Sequence, residues 1–113
     1  MSRKASSSRA LPPASVVIAH ATWDVEYNDA ECAAMGSDGH TLVGGRRIAL
    51  KSDLCLDREQ EVMLHEALHA CIGATTLELD EDDEESLVNT LTGPVLDLIR
   101  RNPDLVEYLR HGH

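Results

Sequence analysis

The sequence predicts an α+β domain: a small, mostly antiparallel, twisted sheet packed on one long helix, with two or three further helices. Three observations predict it. A helix is written in residues 58 to 72, where Val62, Leu64, Leu68 and Ile72 supply apolar surface and no proline interrupts. Short β-branched or alternating runs precede it, and segments of helical period follow it.

Taken in order, residues 1 to 14 hold four serines, two prolines and three positive charges, and read as a disordered leader. Residues 15 to 113 are then a single domain. Val16, Val17 and Ile18 suit a buried strand, while Trp23, Val25 and Tyr27 alternate with acids as in a half-buried one. These runs form either one bent strand or a strand and its continuation. Residues 28 to 35 suit a short helical turn, and Gly36-Ser37-Asp38-Gly39 a chain reversal. Gly44-Gly45 separates two further β runs, as in a hairpin, with Ile48 and Leu50 on one face and Arg47 and Ala49 on the other. The second run is either ordinary sheet or a free edge able to pair with an extended peptide.

Asp57 and Gln60 have the spacing of a capping box at the start of the long helix, and Gly73 stands where a C-terminal glycine cap is expected. A second helix should run through Leu87, Val88 and Leu91, then kink or restart at Thr92-Gly93-Pro94. Val95, Leu96, Leu98 and Ile99 should form a buried stripe. Asn102-Pro103 opens a last helix carrying Leu105, Val106, Tyr108 and Leu109.

Composition narrows the function. The 113 residues include no Phe, one Trp and two Tyr, so the core must be aliphatic. The net charge of −10 argues against nucleic acid as a partner. No segment is long and apolar enough to span a membrane. Cys32, Cys55 and Cys71 are odd in number and without paired spacing, which suits free thiols in a reducing, cytoplasmic setting. A monomer is expected.

Within the long helix stands His65-Glu66-Ala67-Leu68-His69. Residues four apart lie on one helix face, about 40° round the axis, so both imidazoles can reach one ion. Glu66 lies close enough to act on a metal-bound water without binding the metal. Zn²⁺ lowers the pKa of its water to about 7, where a neighbouring carboxylate can take the proton. Two histidines and a water leave a tetrahedral zinc one ligand short. The acidic run from Glu78 to Glu85, seven acids in eight residues, can supply it from the next helix. Glu84 lies nearer the apolar stripe. Glu85 is preferred, because Asn89 one turn on could support it or a ligating histidine by hydrogen bonding. Cys71 points about 200° away from His69 and reads as core. His20 and His40 read as strand-end and turn residues, and His111 and His113 as frayed terminus.

His-Glu-x-x-His with an acid on a second helix resembles the gluzincin branch of the zincin metallopeptidases. The lead-in from Arg46 to Leu50, and Glu85 to Asn89 leading to Pro94, are similar to the small ImmA/IrrE-type proteins. Those are zincin-like peptidases of bacteria, phages and mobile elements, associated with cleavage of transcriptional repressors. The resemblance covers about residues 40 to 95. It implies a zincin-like fold and a zinc-dependent hydrolase acting on a protein or peptide. It also implies His65 and His69 as zinc ligands, Glu66 as general base and then acid, and Glu85 as the third ligand. Fifteen residues between His69 and Glu85 is a tight spacing for that family. The metzincin pattern does not fit, since Ile72 and Thr75 stand where it requires Gly and His. A second reading, of a different class, is a catalytically silent, zinc-stabilised interaction domain docking a basic partner through the acidic face.

Overall fold

Two short apolar runs meet at Ala19 and His20, whose φ angles of 50° and 68° make the double left-handed turn typical of a tight hairpin. The chain therefore reverses there, and the runs form antiparallel strands β1 (Ser15–Ile18) and β2 (Ala21–Tyr27) rather than one continuous strand. In this computed structural model, which describes residues 9 to 112, the hairpin is one half of a mixed four-stranded sheet. After β2 come α1 (Asp29–Met35), β3 (Gly39–Leu42) and β4 (Arg47–Leu50). The strand order is β1-β2-β4-β3, with β4 parallel to β2 and antiparallel to β3. Three longer segments complete the α+β fold: α2 (Leu56–Gly73), α3 (Glu81–Arg101) and α4 (Pro103–Arg110).

The four residues of β4 show why it lies inside the sheet. Ile48 and Leu50 face α2 and join Trp23, Val62 and Ala70 in the core. Ala49, on the opposite face, is buried too, because α1 covers that side of the strand. Arg47 shares this second face and reaches Glu26 on β2 (2.9 Å) and Glu31 on α1 (3.7 Å). Being interior, β4 has no free edge; the edge strands are β1 and β3. Gly39 lets β3 lie directly on α2. A Cβ there would sit 2.5 Å from Val62 Cγ1 and 3.2 Å from Glu66 Cγ, so any other residue forces the strand or the Val62 side chain to shift.

The helix carrying the histidines is slightly longer than residues 58 to 72. It begins at Leu56 after Cys55, which makes no side-chain cap; Asp57 lies in the first turn instead of capping it. Gly73 remains helical, and Ala74 closes the helix in a right-handed conformation. Arg100 on α3 ties the two helices together through Gln60 and, at 4.0 Å, Asp57.

The second helix departs most from expectation. It runs unbroken from Glu81 to Arg101 through Pro94. Part of a proline's clash within a helix is with the Cβ of the residue before it, and Gly93 has none. Packing of Val88 and the buried Thr92 against α2 then outweighs the lost backbone bond. Leu98 and Ile99 are 49% and 43% exposed rather than a buried stripe, since α3 is flanked by α2 and α4 alone and the sheet does not reach it. Tyr108 and Leu109 on α4 are likewise exposed.

All three cysteines are free. Cys32 is in the core, where burial and nearby carboxylates push its thiol pKa up. Cys71 is exposed, not core, because it leaves α2 on the side covered by neither sheet nor α3. Residues 1 to 8 of the expected leader and His113 lie outside the described residues, whereas Arg9 comes within 3.5 Å of the buried Glu59 on α2. No helix among the described residues is long and apolar enough to cross a membrane.

Candidate metal centre

Helix α2 sorts its side chains by angle. Glu59, Val62, Glu66 and Ala70 form its buried stripe against the sheet. His65 and His69 occupy the adjoining flank, toward α3, with ring centroids 4.9 Å apart and an interplanar angle of 67°. The acidic start of α3, capped by Asp80 through the Asp83 amide, brings Glu84 and Glu85 to the same place. Negative residues suit this first turn, where four backbone N–H groups lack helical partners.

Glu85 spans the two histidines. Its Oε2 lies 3.3 Å from His65 Nε2 and its Oε1 2.8 Å from His69 Nε2. Asn89 Nδ2 donates to Glu85 Oε2 at 3.3 Å, the supporting contact its one-turn spacing suggested. Glu84 sits on the other side of His69, its Oε2 2.6 Å from Nδ1. It therefore holds the back of the imidazole rather than standing in for Glu85. His65, His69 and Glu85 offer donor atoms all within 4.8 Å of one another, a group that could hold a metal ion.

Donor chemistry and spacing can be tested against a particular ion. Zinc bonds of about 2.0–2.1 Å in a tetrahedron separate donor atoms by roughly 3.3–3.4 Å. The two histidines face different oxygens of Glu85, His65 Nε2 at 3.3 Å from Oε2 and His69 Nε2 at 2.8 Å from Oε1, and one donor atom from each of the three residues lies within 4.8 Å of the others, so the side chains would have to draw together to close on one zinc. Two imidazole nitrogens and a carboxylate oxygen are also an ordinary zinc set, with Glu84 as the carboxylate that orients a ligating histidine. The residues fit.

Glu66 stands beside this group but outside it. It is 7% exposed, and its Oε1 accepts a 2.7 Å hydrogen bond from the Thr41 hydroxyl on β3. Two clefts open on either side and share Ser37, Gly39, His65, Glu66 and Glu85 in their walls. One, of about 410 Å³, extends toward Arg58 and Pro94; the other, of about 430 Å³, toward Met35 and Val43. His40, a strand residue rather than a turn residue, lines the second. His20 lies in the β1–β2 turn, and His111 pairs with Glu107 at 3.0 Å.

Two contacts escaped the sequence reading. Thr41 carries no pattern that announces it, because its reach to Glu66 depends on how closely β3 lies on α2. The place of Glu84 at Nδ1 had a partial signal, its position next to Glu85. No protein-family model, curated protein or solved structure matches this chain.

The electrostatics of the metal-free group have a definite sign. Burial alone would disfavour a charged His69, but its bonds to Glu84 and Glu85 outweigh that and raise its pKa from the ordinary 6.5. Burial alone would raise the Glu85 carboxyl, yet its bond to His69 and the nearby His65 bring it below the ordinary 4.5. The histidine contribution to stability is complete below pH 6.5 and is lost as pH rises through the higher folded value. The glutamate contribution is complete above pH 4.5 and is lost as pH falls through the lower folded value. Metal-free protein should therefore gain most from the pair between pH 4.5 and 6.5. Urea midpoints measured across pH check this. The wild type should lose stability on either side of the window relative to a Glu84→Gln, Glu85→Gln double variant, and parallel profiles would contradict it.

Proposed function

We propose that this chain is a minimal zinc-dependent metallopeptidase of the zincin type, with zinc held by His65, His69 and Glu85 and Glu66 as general base. The observation that carries the reading is the convergence of His65, His69 and Glu85, from two helices, beside the buried carboxylate of Glu66 and at the meeting of two clefts. When bound, zinc supplies Lewis acidity to a water and to the scissile carbonyl. Glu66 takes a proton from the attacking water and returns it to the leaving amine. Glu84 fixes the ring of His69, and Asn89 fixes the carboxylate of Glu85. The edge strand β3 borders the site and offers a main-chain ladder on which an extended peptide can lie.

The experiment is metal removal and return, with a mixture of unstructured peptides as substrate and mass spectrometry as readout. Cleavage products should form with the zinc-loaded protein, stop after chelation and resume when one equivalent of zinc is restored. A protein carrying one zinc per chain that cleaves no peptide would refute catalysis. The exposed acids Glu81, Asp82 and Asp83 would then favour the other reading, a zinc-stabilised domain docking a basic protein.

A further inference from the structure

Glu66 does two jobs in the reaction just proposed, and both need its carboxylate aimed at the reacting atoms. A glutamate has three rotatable side-chain bonds, and leaving them free costs rate whenever the base is elsewhere. What fixes it here comes from the sheet rather than from its own helix. The Thr41 Oγ1 lies 2.7 Å from Glu66 Oε1 and 3.0 Å from the Glu66 carbonyl oxygen. The hydroxyl has one proton to give, and an ionised carboxylate is the stronger acceptor as well as the nearer one.

The contact is built into the fold at three levels. Thr41 pairs with Ile48 across the β3–β4 ladder, so its side chain shares the face that Ile48 turns toward α2. Gly39, two residues earlier on that face, brings the strand close enough for so short a side chain to reach the helix. Glu66 itself belongs to the buried stripe of α2, which keeps competing water from the bond.

We infer that Thr41 is the positioning residue of Glu66: its hydroxyl occupies Oε1, so that Oε2 is the oxygen that takes and returns the proton. This rests on the metallopeptidase reading for its catalytic meaning, but not for the contact itself. Thr41 touches neither metal ligand nor substrate in this role and acts only through Glu66. Because β3 is also the edge along which a peptide would lie, strand and base are held in one register.

The test compares Thr41→Val, which keeps the shape and removes the hydroxyl, with Thr41→Ser, which keeps the hydroxyl. The first readout needs no activity: the side-chain carboxyl ¹³C resonance of Glu66 in metal-free, ¹³C-labelled protein, assigned by its loss in Glu66→Gln. It should move in Thr41→Val and stay near the wild-type position in Thr41→Ser. The second readout is peptide cleavage by zinc-loaded protein. Thr41→Val should lower kcat by about 10- to 100-fold with KM within about twofold, the loss appropriate to one hydrogen bond to a charged group. Zinc stoichiometry should be unchanged, and Thr41→Ser should restore kcat to within about threefold of wild type. An unmoved Glu66 resonance in Thr41→Val would overturn the inference whether or not the protein cleaves peptides. A moved resonance with unchanged kcat would overturn the positioning role. Wild-type protein that cleaves nothing, with the resonance still moved, would instead locate the failure in the metallopeptidase reading.

Discussion

Replacing Glu66 with glutamine is expected to leave zinc binding and folding intact while lowering peptide cleavage by about 10²- to 10⁴-fold. The amide has nearly the volume of the carboxylate, and its oxygen can still accept from Thr41, so the buried stripe of α2 should not be disturbed. What it lacks is a basic oxygen. Circular dichroism, zinc per chain and cleavage rate together separate these effects. A variant that cleaves at the native rate would remove Glu66 from the chemistry.

The second large effect concerns the metal. His69→Ala should take zinc from about one per chain to near none after chelator rinsing. The loss is greater than one donor, because His69 is also what draws Glu84 and Glu85 onto α2. Without it the two carboxylates have lost their closest positive partner, and on α2 His65 still reaches Glu85, at 3.3 Å. Glu84→Gln makes a control of graded size. It keeps all three donors and weakens only the support at Nδ1, so zinc affinity should fall by about 10- to 100-fold. If Glu84→Gln lost zinc as completely as His69→Ala, Glu84 would be a ligand and not a support.

The parts of this molecule that sequence made legible are those governed by local periodicity. The histidine pair, the apolar positions around it and the following acids place α2 and the start of α3 without further information, and the Gly44-Gly45 reversal marks the β3–β4 hairpin. Even there, local detail shifted. The left-handed residue of that turn is Arg46, not a glycine. The contact between Glu85 and Asn89 was legible because residues one helical turn apart must be neighbours.

What sequence hid depends on packing between elements. Pro94 looked like a break, but Gly93 before it and the buried face of Val88 and Thr92 carry α3 straight through. Ala49 shares a strand face with Arg47, and α1, far from it in local pattern, buries it. Leu98, Ile99 and Cys71 looked like core, yet Leu98 and Ile99 are only half covered and Cys71 is exposed. The parallel pairing of β2 with β4 places α1 and β3 within the crossover, a topology no local pattern records. Thr41 is the clearest case. A threonine in a short strand is ordinary, and only the close approach at Gly39 turns it toward Glu66.

Elemental analysis of untagged, chelator-rinsed protein tests whether His65, His69 and Glu85 bind a zinc ion. About one zinc per chain is expected in the wild type and near none in His69→Ala, with both proteins folded. Folded wild type without zinc, or zinc that survives the substitution, would contradict that assignment.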